Sequence, residues 1–149
     1  MVRGYFAYGS NMNPARMRER GMQFTACEGA RLTGFRLVFD KASKAHPEIG
    51  HANLVYDPES VVEGVLYSLV TQHEIARMDP YENAPVNYSR EVVRVAHGES
   101  CWTYFANPGV RCQGLLPSRT YLNHLLAGKE YLSDVYYQML CEVQCLEDR

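Results

Sequence analysis

Two kinds of periodicity divide this chain. Up to about residue 106 it runs in short strand-like stretches punctuated by Gly, Pro, Asn and Asp. Beyond Pro117 the apolar residues recur at helical spacing. Segregation of strands and helices along a chain points to an α+β fold rather than alternating βαβ units. At 149 residues, with 46% hydrophobic and 21% charged residues, the chain suffices for one domain with its own core, expected to span residues 1–149.

Charge and cysteine usage exclude several classes. The formal net charge of −2 comes without a basic stripe, so a nucleic-acid partner is not expected. No uncharged stretch is long enough to cross a bilayer, and the N-terminal residues lack the apolar run of a signal peptide. The expectation is a cytoplasmic protein without a membrane partner. The cysteines, Cys27, Cys101, Cys112, Cys141 and Cys145, are odd in number and show no CxxC spacing, which fits buried thiols better than a disulfide or zinc framework. Cys141 and Cys145 are spaced to share a helix face.

Along the chain, residues 5–8 form an aromatic run between Gly4 and Gly9 and read as the first strand. Asn13 before Pro14 predicts a helix start, and Gly21 its end. Residues 27–41 read as strand with a bulge at Gly34. Residues 52–56 and 61–70 are expected to pair as a hairpin around the turn at 57–60. Thr71 and Glu74 have capping-box spacing for a helix that Pro80 should end near Asp79. Strands follow at 89–96 and 101–106, joined at His97, Gly98 and Glu99. Ser118 opens a helix to residue 126 or 127, closed by Gly128. Ser133 caps another expected through Leu146, with Val135, Met139 and Val143 on one stripe and Leu132, Tyr136 and Leu140 beside it.

Two segments could carry chemistry. Tyr8, Gly9, Ser10 and Asn11 lie where a strand enters a helix, and small residues there let backbone N–H groups approach a carboxylate or carbonyl oxygen. Any strand-to-helix turn favours the same residues, so the segment alone marks a turn equally well. The second segment, residues 78–83, carries Asp79 and Glu82 on a loop held by rigid elements. Sequence alone does not separate a catalytic carboxylate from a solvated one. Glu63, Glu74 and Glu91 are weaker candidates, since one suits a cap and two fall in strands. His46, His51, His73, His97 and His124 show no metal-ligand spacing, so no metal is expected. No GxGxxG, Walker or GxSxG segment occurs. The eleven tyrosines read mainly as core and sheet residues.

Four segments, in order, resemble the γ-glutamylcyclotransferase family (AIG2-like). They are residues 8–12; Ala52-Asn53-Leu54 with Gly64, Leu66 and Tyr67; residues 78–83 followed by Tyr88; and Pro117-Ser118 with Tyr121, Gly128, Tyr137 and Leu140. Departures are Asn83 where glycine is usual, Met12 for leucine, and Ser133-Asp134 for a Leu-Pro step. Asn tolerates the left-handed conformation that the glycine would adopt. The resemblance implies a small mixed β-barrel flanked by helices, without a cofactor. It makes Glu82 the acid/base and gives Gly9, Ser10 and Asn11 main-chain contacts to a γ-glutamyl group. Tyr8 starts that loop, and Tyr121 directs its hydroxyl at the substrate.

The implied reaction converts a γ-glutamyl amide into 5-oxoproline and a free amine. The nucleophile belongs to the substrate, so no protein serine or cysteine is required, and one carboxylate with a raised pKa can serve as base and then acid. Residues 84–87 and 107–114 are expected to shape the leaving-amine end of the pocket. The rival readings are a non-catalytic binding or sensor domain on the same fold, and a cysteine-dependent hydrolase or transferase. Oligomeric state stays open, with a homodimer among the options.

Overall fold

The computed structural model describes residues 2–148. Strand β1 (Gly4–Ala7) lies at the centre of a five-stranded sheet and is buried throughout. Burial on both faces explains why its sequence is aromatic without polar alternation. Tyr5 and Ala7 enter one core cluster, and Phe6 another on the opposite face, as the two-residue period of a strand requires.

The remaining strands are β2 (Phe24–Ala42), β3 (Gly50–Leu69), β4 (Tyr88–Arg94) and β5 (Ser100–Ala106), in the order β2-β3-β1-β5-β4. The sheet is mixed: β1 runs parallel to β5, and the other neighbours are antiparallel. It is not closed into the barrel that the resemblance implied. The edges meet at one hydrogen bond, from Ala96 N–H to the Arg31 carbonyl at 2.8 Å, and no ladder joins β4 to β2.

The hairpin expected at 57–60 does not form. Residues 52–56 and 61–69 lie in the single strand β3, and both pieces pair with β2. Thr33 opposes Val61 while Phe35 opposes Tyr56, so residues 57–60 bulge out opposite Gly34, whose φ is 87°. Asp57 holds this bulge, accepting from Glu59 N–H at 3.1 Å and the Ser60 hydroxyl at 2.7 Å. Turn chemistry therefore shapes a bulge here. The actual reversal between β2 and β3 lies at residues 43–49, closed by the bond from Ser43 N–H to the Ile49 carbonyl at 2.9 Å.

Helix α1 (Pro14–Glu19) starts as expected, with the Asn13 side chain accepting from Ala15 N–H at 3.1 Å. The single helix expected before Pro80 is instead a helical turn (Glu74–Arg77) and α2 (Asp79–Glu82). Pro80 lies in the first turn of α2, where its missing N–H has no intrahelical acceptor to lose. Glu74 does not complete a capping box. Its buried carboxylate accepts from Gln23 N–H at 3.0 Å and pairs with Arg77 at 3.3 Å. Asn83 ends α2 in the left-handed region, φ 49° and ψ 48°, as its place at a usual glycine position demands.

Helix α3 (Arg119–Leu126) is capped by Ser118, whose hydroxyl accepts from Tyr121 N–H at 3.1 Å. Helix α4 (Asp134–Cys141) is shorter than expected. It buries Tyr136 and Leu140, while Val135 is 82% exposed. Past α4 the chain returns to α3, with Leu146 N–H donating to the Pro117 carbonyl and Arg119 N–H to the Leu146 carbonyl, both at 2.8 Å. Cys141 and Cys145 thus share no helix. Of the cysteines only Cys101 is buried, and all are free thiols. Among the described residues no helix is long and apolar enough to cross a membrane.

Glu63, weighed above as a catalytic carboxylate, is an anchor for α4. Its oxygens accept from Ser133 N–H at 2.7 Å and the Ser133 hydroxyl at 2.6 Å. Glu63→Ala strands that donor pair, and the expected loss in urea denaturation is about 1–3 kcal/mol. A change within error would show that water replaces the carboxylate freely.

Candidate active site

Position 82 depends on a chain of local decisions. Pro80 starts α2, Asn83 ends it, and the short helix delivers Glu82 into a cavity of about 290 Å³. The loop after β1 forms part of the lining. Gly9, Ser10 and Asn11 enter a helical turn (Ser10–Met12) that packs against α3. The residues that the resemblance assigned to the site, Tyr8, Gly9, Ser10, Asn11, Glu82 and Tyr121, all line this one cavity.

Asn11 ties the loop to the carboxylate. Its side-chain amide donates to Glu82 Oε1 at 3.3 Å and to the Tyr5 hydroxyl at 2.9 Å. Its side-chain oxygen accepts from Arg20 Nη1 at 3.0 Å, and that nitrogen stands 3.9 Å from Glu82 Oε1. The Glu82 side chain keeps 18% of its surface accessible. Burial raises its pKa above the ordinary 4.5 against the opposing pull of Arg20, Arg16, Lys41 and the Asn11 hydrogen bond. Tyr81 is 52% exposed and carries the Arg20 guanidinium over its ring at 5.0 Å.

Gly9 suits the close approach of its neighbours. A Cβ there would sit 3.1 Å from both the Tyr121 hydroxyl and the Ala52 Cβ. The Tyr121 oxygen accepts from Ala52 N–H at 3.0 Å, which leaves its own proton for another acceptor. Burial first, against hydrogen bonds from backbone N–H groups, pushes the Tyr121 pKa up to about 12, so it stays a donor. The His51 ring stacks on it at 4.5 Å. Burial, together with Lys41, Arg16 and Arg20, brings His51 down to about 4, so its imidazole is neutral.

Other residues take structural parts. The Tyr8 hydroxyl donates to the Tyr104 carbonyl at 2.5 Å, so Tyr8 offers the cavity its ring. Ser10 Oγ accepts from Arg16 Nε at 3.1 Å. Asp79 lies outside the cavity lining, accepting from the Tyr104 hydroxyl at 2.7 Å and pairing with Arg90 at 3.6 Å. Of the two loop carboxylates, only Glu82 faces the cavity.

Sequence reasoning missed the cations of the lining, Arg16, Arg20, Lys41 and Lys44. They come from α1, β2 and the residues just past each, and no short motif marks them. It also undercounted the tyrosines, since Tyr5, Tyr81, Tyr88 and Tyr104 join Tyr8 and Tyr121. Of the segments expected to shape one end of the pocket, 84–87 contributes Asn87, whereas 107–114 contributes nothing and residues 41–51 take that place. Among the described residues no cluster of three or more His, Cys, Asp or Glu side chains gathers to hold a metal.

A small α+β protein with one carboxylate and a glycine-serine-asparagine loop in a cation-lined cavity is the class that fold and site define. A family model described as "Gamma-glutamyl cyclotransferase, AIG2-like" matches residues 5–123, and the chain belongs to that family. No curated protein matches the sequence significantly. Among solved structures, the chain is similar to uncharacterized protein loc79017 from Homo sapiens, with 26% identity, a TM-score of 0.80, and 95% of this chain and 88% of that one covered. A structure titled "Gamma-glutamyl cyclotransferase" matches at 25% identity and TM-score 0.80, with 95% and 88% covered. A yeast γ-glutamyl cyclotransferase specific to glutathione shares the fold at 16% identity and TM-score 0.63, with 93% of each chain covered.

The raised Glu82 pKa sets a stability prediction. The fold binds this proton more tightly than the unfolded chain, so the charged carboxylate destabilises once pH exceeds its unfolded value of 4.5, increasingly until pH passes the folded value. Glu82→Gln removes that charge. The variant is expected to melt above the wild type near pH 7, with the gap closing at about pH 4. Thermal melts at both pH values check this, and a lower melting temperature near pH 7 would give the Arg20 attraction the upper hand over burial.

Proposed function

We propose that this chain is a γ-glutamyl cyclotransferase that releases 5-oxoproline and a free amine from a γ-glutamyl amide, with Glu82 as acid/base. The observation that carries the reading is the Asn11–Glu82 hydrogen bond at 3.3 Å, which joins the loop to a half-buried carboxylate inside one cavity. Family membership and the likeness to a γ-glutamyl cyclotransferase structure support it.

The chemistry follows from what the substrate brings. Its α-ammonium gives a proton to Glu82, and the freed amine attacks the γ-carbonyl carbon to close a five-membered ring. Well-oriented intramolecular attack can correspond to effective molarities on the order of 10⁵ to 10⁸ M. As the old C–N bond breaks, Glu82 returns its proton to the departing nitrogen. The second proton shed by the attacking nitrogen accompanies the released amine, which ionises in water. A carboxylate of raised pKa suits both transfers better than an ordinary one.

Around these steps, each lining residue has a part. The first N–H groups of a helical turn have no acceptor within it, so those at Gly9, Ser10 and Asn11 serve the glutamyl carboxylate. Arg20 and Asn11 hold Glu82 in place. Tyr121 donates its free proton to the substrate.

Purified protein with a panel of γ-glutamyl amides is expected to form 5-oxoproline, and Glu82→Gln to lose about 10²-fold or more in kcat/KM while keeping its fold. The acid limb of the pH profile should inflect above 4.5, since the base must be ionised to act. Activity of the variant within a few-fold of wild type would remove Glu82 from the chemistry. Binding without any product would leave a ligand-holding domain.

A further inference from the structure

Arg16 links the cavity to a cluster of side chains that lies outside it. Its Nε donates to Ser10 Oγ at 3.1 Å, which ties α1 to the loop after β1. Nη1 of the same guanidinium stands 3.4 Å from Nε2 of His124, on α3. The other ring nitrogen, Nδ1, stands 3.1 Å from the side-chain nitrogen of Asn13. His124 is half-buried and is not part of the cavity lining.

Both neighbours of the ring are donors. A guanidinium has only N–H groups to offer. The Asn13 amide is fixed in the same sense, because its oxygen caps α1 by accepting from Ala15 N–H at 3.1 Å and the NH2 group is left for the histidine. A neutral imidazole has one acceptor nitrogen and satisfies one of the two donors, whereas a protonated ring has none and satisfies neither. With protons on both nitrogens, Nδ1–H faces the Asn13 NH2 and Nε2–H faces the Arg16 cation. Asn13 can regain a hydrogen bond only by turning its oxygen to the ring, and α1 then loses its cap. Burial first, then Arg16 and Arg20, hold His124 below the ordinary histidine value of 6.5, against the opposite pull of Glu19.

We infer that His124 is a positioning residue for the loop at 9–11: its uncharged ring lets Arg16 stay on Ser10 and Asn13 stay on α1, and protonation loosens both. The site depends on α1 at two points, since Arg16 holds Ser10 while Arg20, just past the helix, holds Asn11 beside Glu82. The consequence for substrate capture rests on the cyclotransferase reading, in which the N–H groups at 9–11 take the glutamyl carboxylate. Because His124 stands outside the cavity, its proton acts on binding, whereas the proton on Glu82 acts on the chemistry. No bond is made or broken at the ring.

The test reads the loop and the reaction separately. Amide proton–nitrogen NMR spectra are recorded from about pH 8 down to about pH 5, the range in which histidine titrates. The amides of Gly9, Ser10 and Asn11 are expected to shift with a component whose midpoint matches that of the His124 ring signal. His124→Gln keeps a side-chain acceptor without a titrating proton, and it should abolish that component. Asn13→Asp keeps a cap on α1 and puts an acceptor in place of the donor facing the ring, so the His124 midpoint should rise. With a γ-glutamyl amide that the protein turns over, wild-type KM should climb by up to about tenfold per pH unit below the His124 midpoint, the limit for one linked proton. The kcat profile should follow Glu82 alone, and in His124→Gln the climb in KM should disappear. Loop amides that titrate identically in His124→Gln, or a His124 midpoint that Asn13→Asp leaves in place, overturn the assignment and leave the cyclotransferase reading intact. Amides that follow His124 while KM ignores it overturn the link to substrate capture. Amides that follow His124 in a protein that forms no 5-oxoproline overturn the cyclotransferase reading and leave the coupling of ring to loop standing.

Discussion

One buried amide holds this site together. Asn11 is 3% exposed, and both ends of its side chain are in use. The nitrogen serves Tyr5 on β1 and Glu82 at the end of α2, while the oxygen takes Arg20 just past α1. Its backbone carbonyl accepts from Tyr67 on β3 at 2.5 Å. Sheet, loop and both short helices therefore meet at one residue. An amide is the group that can do this, since it donates and accepts at once and carries no charge to desolvate. An aspartate there would repel Glu82, and an alanine would leave the Tyr5 and Glu82 oxygens without that donor.

The electrostatics of the cavity are a contest between burial and cations. Arg16, Arg20 and Lys41 all favour an ionised Glu82, yet burial prevails and its pKa rises. Two features blunt the cations. Arg20 stands 3.9 Å from Glu82 Oε1 rather than in close contact, and its guanidinium is shared with Asn11 and the Tyr81 ring. Arg16 is turned to Ser10 and His124. The result is a carboxylate that can both hold and release a proton, in a pocket whose other walls are positive or neutral. Neutral His51 and protonated Tyr121, stacked together, add a flat surface that neither charges nor quenches it.

Local chemistry was legible wherever a residue acts on its own neighbours. Asn13, Ser118 and Ser133 cap the helices they precede. His97 and Gly98, both at positive φ, turn β4 into β5. The same logic failed where partners lie far away. Residues 57–60 carry turn chemistry, but both flanks of that segment find better partners along β2, so the turn becomes a bulge. Glu74 has the spacing of a cap and is drawn instead to Gln23, across 51 residues of chain. On α4 two apolar stripes compete on nearly equal terms, and packing chose Tyr136 and Leu140 over Val135. The open sheet in place of a barrel is likewise a matter of how two edge strands meet, which no residue on either strand announces.

For the site, the order of a few short segments along the chain carried the resemblance that implied Tyr8 to Asn11, Glu82 and Tyr121; by themselves the glycine, asparagine and proline at those places set only the local backbone shape. Asn83 illustrates this, taking the left-handed geometry its position requires. What the folded chain alone decided was function within the set. It turned Asp79 to Tyr104 and Arg90 and Glu82 to the cavity, committed the Tyr8 hydroxyl to a carbonyl, and brought in Arg16, Arg20 and Lys41. The reason is range. Backbone preferences are set by adjacent residues, whereas burial and charge pairing depend on groups such as Asn11 and Glu82, which are 71 positions apart until the sheet closes the distance.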